Sequence, residues 1–129
     1  MRTVDTVALI VLDGDRLLVE RRRRDKTTDP GVVVVPGGHV EEGESLVDAC
    51  ARELKEELDL DCTEFRFVDQ MLWETPIETQ NVHYFVCKGW SGVSKSKEAA
   101  EIFFIGIDEL CLIDIEKERV LLEKHLKKQ

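Results

Sequence analysis

Residues 38–60, GHVEEGESLVDACARELKEELDL, form a glycine-rich loop that leads into a segment with helical periodicity. In that segment, Ser45–Leu58, apolar residues recur every three or four positions, which predicts an amphipathic helix packed against the core. The predicted core-facing stripe comprises Val47, Ala51, Leu54 and Leu58. We expect Glu53, Glu56 and Glu57 on the opposite side of this helix, spaced so that their carboxylates are neighbours.

These three glutamates suggest a site for a divalent cation. Like charges at this spacing cost a helix about 0.2–0.5 kcal/mol per pair, and a solvated acidic face is the alternative interpretation. Two glycines upstream, Gly37 and Gly38, allow the backbone to approach a ligand closely and to offer carbonyl oxygens. Carboxylate and carbonyl oxygens suit Mg²⁺ or Mn²⁺, ions that bridge phosphate oxygens and activate water.

The spacing of the charged residues is distinctive. Five residues separate Gly38 from Glu44, and seven more precede the run RELKEELDL at residues 52–60. This pattern resembles the Nudix box, Gly-x5-Glu-x7-Arg-Glu-U-x-Glu-Glu-x-Gly-U, where U is a bulky aliphatic residue. Every fixed position matches except that Asp59 stands where the family has glycine.

The resemblance implies both a fold and an activity. The fold is of the α+β class, a Nudix-type α/β/α sandwich with a mixed β-sheet, and the activity is hydrolysis of a nucleoside diphosphate linked to another moiety. At the matching positions, metal ligands would be Glu53, Glu56 and Glu57, with the Gly37 carbonyl completing the shell. Gly38 would contact the substrate.

The resemblance also implies supporting roles. Glu53 would activate water, and Arg52 would orient a box carboxylate through a charge-assisted hydrogen bond. Glu44 would support the junction between loop and helix or act as a base. Because Asp tolerates the left-handed region better than most residues, we expect Asp59 to end the helix there at a modest cost in stability and no loss of chemistry.

Strands are predicted around this helix. Asp13-Gly14 lies between two apolar runs and predicts a hairpin turn with positive φ at both central residues. Val32–Val35 predicts a strand buried on both faces and ended by Pro36-Gly37-Gly38. The other predicted elements are strands at Phe65–Glu74, Val82–Trp90 and Ile102–Ile107 and a helix at Asp114–Lys128 with Ile115, Leu122 and Leu126 on one side. Together they predict one domain over residues 1–129, with a mixed sheet between helices.

The composition narrows the expected partners. There are 18 Lys+Arg and 27 Asp+Glu residues, for a formal net charge of −9. Such a surface repels nucleic acid backbones, so no nucleic acid polymer is expected, and an anionic substrate needs a cation as mediator.

The longest uninterrupted apolar run, Val7–Leu12, is too short to span a membrane, and a cytoplasmic location is expected. The four cysteines include no CxxC pair and are expected to be reduced, mostly buried thiols.

Beyond the box, size and element order resemble the MutT-type Nudix enzymes, which hydrolyse nucleoside triphosphates. That likeness makes Glu98 a further metal ligand or base, with a solvated loop acid as the alternative. Arg22 would contact substrate phosphates, or else belongs to a solvated basic edge. Asp114 lies where such proteins read a purine, although a carboxylate accepts hydrogen bonds and donates none.

Three functions stay open at this stage. The first is Mg²⁺- or Mn²⁺-dependent hydrolysis of a nucleoside triphosphate or a related small-molecule nucleotide. The second is ADP-ribose pyrophosphatase activity, since Pro76 has a spacing from the box associated with those enzymes, although MutT-type enzymes also carry a proline there. The third is a nucleotide-binding domain without catalysis, which would be expected to lose the box carboxylates. A strand edge or the C-terminal helix could support a homodimer.

Overall fold

Two four-stranded sheets form the framework of the protein in a computed structural model, which describes residues 2–127. The strands are β1 Thr3–Ile10, β2 Leu12–Asp13, β3 Arg16–Arg21, β4 Val33–Val34, β5 Gly37–His39, β6 Glu64–Glu74, β7 Thr79–Lys88 and β8 Glu101–Gly106. One sheet has the order β5-β1-β7-β6, and in the other β3 pairs with β2, β4 and β8. The first sheet is mixed, as predicted, because β1 and β7 run parallel while its other pairs are antiparallel.

Helices cover the sheets from both sides. They are α1 Leu46–Leu58, a 3₁₀ helix Ile107–Leu112 and α2 Glu116–Leu126. On β1, Val7 and Leu9 pack in one apolar cluster with α1, whereas Ala8 and Ile10 pack in a second cluster with α2. Alternate side chains of a strand point to opposite faces, so β1 contributes to both layers. This arrangement confirms the predicted α/β/α sandwich. None of the helices within residues 2–127 is long and apolar enough to cross a bilayer.

Both ends of α1 lie where the sequence predicts them. The Ser45 side chain caps the first turn by accepting a hydrogen bond from the Asp48 backbone N–H at 3.1 Å. The helix ends at Leu58, and Asp59 adopts the left-handed conformation with φ 59° and ψ 35°. The predicted conformation of Asp59 is therefore confirmed, and its carboxylate lies 3.3 Å from the Lys55 ammonium.

The rotation of α1 about its axis differs from the prediction. Val47, placed in the predicted stripe, is 43% exposed, while Cys50 is fully buried. Glu53 is only 8% exposed and faces inward, and Glu56 points to solvent. The apolar stripe is displaced because the helix buries the side that carries Glu53 against the glycine strand β5.

The first hairpin is also displaced, by one residue. Asp13 pairs with Arg16, so the turn is centred on Gly14-Asp15 rather than Asp13-Gly14. Of the two central residues, Gly14 has positive φ, at 63°, and Asp15 does not. The turn therefore needs the left-handed conformation at one residue only, and that residue is Gly14.

The predicted C-terminal helix is shorter than expected, beginning at Glu116 and ending at Leu126, while Lys128 lies outside the described residues. All four cysteines are free thiols. Cys50 and Cys87 are buried, Cys62 is half-buried and Cys111 is exposed, so burial holds for two of them.

Candidate active site

A cavity of about 380 Å³ lies where α1, both sheets and the start of α2 meet. Acidic side chains outnumber basic ones along its walls. The acidic lining residues are Glu20, Asp29, Glu41, Glu53, Glu57, Glu98 and Glu118, and the Lys and Arg lining residues are Arg22, Lys26 and Arg52. An anionic ligand would be repelled by this lining unless cations accompanied it.

Two glycines bring β5 against β1 and α1. The chain was predicted to leave the sheet at Pro36-Gly37-Gly38, but it re-enters there, with Gly38 opposite Val7. A Cβ atom on Gly37 would collide with the backbone oxygen of Val7, and one on Gly38 would collide with the carboxyl group of Glu53. Glycine at both positions therefore allows the strand to pass directly beneath the Glu53 carboxylate.

Arg52 organises the acidic groups around it with all five of its N–H donors. Its Nη1 donates to Glu53 at 2.9 Å and to Glu56 at 3.1 Å, and its Nη2 donates to the carbonyl oxygen of His39 at 2.9 Å. The remaining two donors form a fork on the carboxylate of Glu44, at 2.8 and 2.9 Å. Arg52, predicted to orient one box carboxylate, thus hydrogen-bonds two of them, Glu53 and Glu56.

The network separates the pKa values of its carboxyl groups. Hydrogen bonds from Arg52 lower the pKa of Glu44 to about 2 and raise the pKa of the guanidinium itself. Burial raises the pKa of Glu53, although Arg52 opposes that shift. Glu44 is therefore a permanent anion, whereas Glu53 is the more basic of the two.

Glu57 is the most perturbed carboxyl group of the α1 face. Burial raises its pKa to about 8, and the nearby charges of Glu20, Glu98 and Glu53 add to that increase. Glu98 lines the cavity but is exposed to solvent. The helix thus directs Glu53 and Glu57 into a space already occupied by like charges, which is typical of functional sites.

Sequence reasoning missed four acidic residues of this cavity, Glu20, Asp29, Glu41 and Glu118, of which Glu20 and Glu118 are buried. Glu20 is 6% exposed, and burial raises its pKa to about 7. Glu118 is 5% exposed and accepts hydrogen bonds from the Tyr84 hydroxyl at 2.6 Å and the Val35 backbone N–H at 3.0 Å. The available signals were strand alternation, which places Glu20 between Leu18 and Arg22, and the helical spacing of Glu118 from Leu121 and Leu122.

The loop after β3 forms one wall of the cavity. Arg22 lines it, and its guanidinium donates to the backbone oxygen of Thr28 at 3.0 Å and to the Thr28 hydroxyl at 2.9 Å. On the facing strand β6, the indole N–H of Trp73 donates to Asp29 at 2.9 Å. These bonds tie the loop to both sheets beside the acidic groups.

Three predicted site residues lie outside the cavity lining. Glu44 and Glu56 are linked to it through Arg52, and Glu44 also accepts a hydrogen bond from the backbone N–H of the lining residue Glu41. The Asp114 carboxylate accepts a hydrogen bond from the Val33 backbone N–H at 2.7 Å and thereby joins the segment before α2 to β4.

Comparison with known protein families matches residues 1–126 to the NUDIX domain. The match covers almost the whole chain and includes the loop and helix described above. The chain therefore belongs to the Nudix family, and the resemblance seen in the sequence is confirmed.

Individual relatives share part of the sequence, and a solved structure shares the fold. The m7GpppN-mRNA hydrolase NUDT17 of Homo sapiens is 43% identical over 72 residues, which are 54% of this chain and 22% of NUDT17. The NAD-capped RNA hydrolase NudC of Stutzerimonas stutzeri (strain A1501) is 28% identical over 127 residues, 97% of this chain and 45% of NudC. This chain thus spans less than half of either relative. The structure of the MutT protein from Methanosarcina mazei Go1 superposes with a TM-score of 0.86 at 21% identity, over 95% of this chain and 92% of that one.

Proposed function

We propose that the protein is a divalent-cation-dependent hydrolase that cleaves the diphosphate linkage of a nucleoside triphosphate or a related nucleoside diphosphate derivative. The observation that carries the proposal is the inward direction of Glu53 and Glu57. Glu53 is buried against β5, and Glu57, which is half-buried, lines the same acid-lined cavity. Withdrawing two neighbouring carboxylates from solvent is costly in a helix that serves only as structure. An ion that neutralises them accounts for the arrangement.

The residues present fit a hard cation such as Mg²⁺ or Mn²⁺. Within residues 2–127, no three acidic, histidine or cysteine side chains stand in a ready-made coordination cluster. Arg52 binds the carboxylates of Glu53 and Glu56. The donor set is nevertheless all oxygen, with carboxylates from α1 and the backbone of β5 at the same edge of the cavity. We propose Glu53, Glu56, Glu57 and the Gly37 carbonyl as ligands. When bound, the cation would activate a water molecule and neutralise charge on the phosphates.

The remaining roles follow from the positions of the side chains. Glu53, with its raised pKa, is suited to accept a proton from the attacking water. Arg52 sets the direction of that carboxylate, and Glu44 fixes Arg52 in turn. Glu98, on the solvent side of the cavity, is proposed as a further metal ligand or base.

Substrate contacts are proposed on the opposite wall. Arg22 lines the cavity with its guanidinium oriented by Thr28, which suits a phosphate contact. The same wall carries Trp73, whose indole can lie against a base. One further contact is proposed across the cavity, at the backbone of Gly38, which lies on β5 beneath the Glu53 carboxylate.

A panel of substrates tests the proposal and its alternatives. Nucleoside triphosphates are expected to yield the monophosphate and pyrophosphate with Mg²⁺ or Mn²⁺ present, and no product after chelation with EDTA. Turnover of ADP-ribose without turnover of any nucleoside triphosphate would favour the pyrophosphatase alternative. Because relatives are named for capped RNAs, m7GpppN-capped and NAD-capped oligonucleotides belong in the panel. Binding of nucleotides without any hydrolysis would identify a non-catalytic domain.

A further inference from the structure

We propose that Glu20 supplies a carboxylate oxygen to a divalent cation at the Glu57 end of the cavity. The inference rests on the proposed function and adds to the cation site a ligand from β3, outside the helix and glycine loop. Glu20 is the second-to-last residue of β3.

Strand alternation determines the direction of the Glu20 side chain. Leu18, two residues earlier, packs in the same apolar cluster as Leu54 and Leu58 of α1, whereas Leu17 and Val19 pack in the opposite layer. Residues two apart in a strand share a face, so Glu20 points to the α1 side. Its charge also has the largest effect of any neighbouring charge on the pKa of Glu57.

The Glu20 carboxylate is buried without the partners that the other buried acids have. Its Oε1 atom is inaccessible to solvent and has no hydrogen-bond partner among the described residues. Glu53 accepts a bond from Arg52, and both oxygens of Glu118 accept bonds. A buried carboxyl oxygen without a partner is unfavourable, and this one therefore points to a bound ligand.

A cation satisfies this carboxylate better than the side chains nearby. Arg22, on the same face of β3, is bonded to Thr28, and Lys26 is exposed in the following loop. An ionised carboxylate only accepts hydrogen bonds and has no affinity for the anionic phosphates of a substrate. Glu20 and Glu57 together offer a pair of hard oxygen donors from two different elements, which is a common way to bind Mg²⁺ or Mn²⁺.

Titration with Mn²⁺ alone tests the inference without turnover. The Kd for Mn²⁺ is measured by calorimetry and by the loss of the free-ion electron paramagnetic resonance signal, for wild type, Glu20→Gln and Glu118→Gln. Glu118→Gln is the matched control, because it removes one carboxylate charge from the same cavity at a side chain whose oxygens already have partners. We expect Glu20→Gln to weaken Mn²⁺ binding at least about 10-fold and Glu118→Gln to change it less than about 2-fold.

Two outcomes would overturn the role of Glu20. One is wild-type Mn²⁺ affinity in Glu20→Gln, and the other is equal weakening by both variants, which would show a general effect of charge. If Glu20→Gln does not fold, Glu20→Asp replaces it, since it keeps the charge but shortens the reach and must also weaken binding. A parallel titration of Glu57→Gln separates the two proposals. Wild-type affinity there would overturn the proposed metal site, whereas weakened binding there with unchanged binding in Glu20→Gln would overturn only the inference.

Discussion

Arg52 and Glu44 form a fork of two parallel hydrogen bonds, from Nε to Oε2 at 2.8 Å and from Nη2 to Oε1 at 2.9 Å. The fork leaves Nη1 directed at the carboxylates of Glu53 and Glu56. Glu44 therefore acts indirectly. It holds the Arg52 guanidinium in place, and that guanidinium orients the Glu53 carboxylate in the cavity.

Replacing Arg52 with Lys is expected to lower kcat about 10-fold and to lower Tm. A lysine keeps the positive charge but has three donors on a single atom, so it cannot bond Glu44, Glu53 and the His39 backbone together. Steady-state kinetics and thermal unfolding measure the two effects. An unchanged kcat would show that the orientation of Glu53 does not depend on this network.

Replacing Glu57 with Gln is expected to reduce kcat at least about 10²-fold, which corresponds to ~2.7 kcal/mol in activation free energy. The substitution keeps size and hydrogen-bonding shape but removes the charge that we assign to cation binding. The control is Glu123→Gln on the outer face of α2, where Glu123 pairs with Lys127 outside the cavity and turnover should stay at the wild-type level. Equal turnover of Glu57→Gln and wild type would refute the assigned role.

Alanine substitutions at the two glycines of β5 are expected to cause different defects. In Gly38→Ala the added methyl group meets the Glu53 carboxylate, so we expect kcat to fall about 10–10²-fold while the protein still folds. In Gly37→Ala it meets the backbone of Val7, which cannot move aside without opening the sheet, so we expect a loss of stability. Kinetics and urea unfolding on both variants test this division. A Gly38→Ala variant with normal kcat would contradict it.

The stability of the protein should depend on pH through Glu118. Burial raises the pKa of this carboxyl to about 7 from its usual value near 4.5, despite hydrogen bonds from Tyr84 and Val35, and the charge of Asp29 adds to the increase. The folded state then binds more protons than the unfolded chain between these values, so the free energy of unfolding falls as pH rises from about 5 to about 8. For a fully buried group the total is up to about 3 kcal/mol.

Urea unfolding of wild type and Glu118→Gln at several pH values from 5 to 8 measures the contribution of Glu118 to the free energy of unfolding. The variant should lose less stability than wild type as the pH rises, although Glu20, with a similarly raised pKa, leaves part of the slope in place. Parallel curves for the two proteins would show that Glu118 does not contribute.

Restoring the family glycine by Asp59→Gly is expected to leave kcat within about twofold of wild type and Tm unchanged or higher. Glycine adopts the left-handed conformation of residue 59 without a side-chain penalty, while the substitution removes the ion pair with Lys55. Kinetics and thermal unfolding on the single variant check both statements. A large fall in kcat would give Asp59 a role in the chemistry.

The sequence predicted the ends of α1 well and its rotation poorly, for a physical reason. The capping by Ser45 and the left-handed conformation of Asp59 depend only on residues nearby in the chain, so they can be predicted from the local sequence. The rotation depends on burying Glu53 against β5, which no hydrophobic pattern encodes, since periodicity assumes that charged residues face solvent. The same assumption hid Glu20, a lone acid after an apolar run.

Asp114 shows what reasoning from position leaves out. Its place before the last helix predicts a base-reading residue, and that role stays a prediction. The hydrogen bond from the Val33 backbone N–H to its carboxylate joins residues 81 positions apart. Such a contact is created by the tertiary fold and leaves no trace in local spacing.

The indole of Trp73, which is hydrogen-bonded to Asp29, is an intrinsic fluorescent probe of the cavity. Trp73 lines the cavity, so a ligand that displaces Asp29 or stacks on the indole would shift its fluorescence. The other tryptophan, Trp90, donates to the backbone oxygen of Leu12 away from the cavity and supplies a steady background signal. Occupancy could therefore be followed in real time on the unlabelled protein, with Trp73→Phe as the silent counterpart.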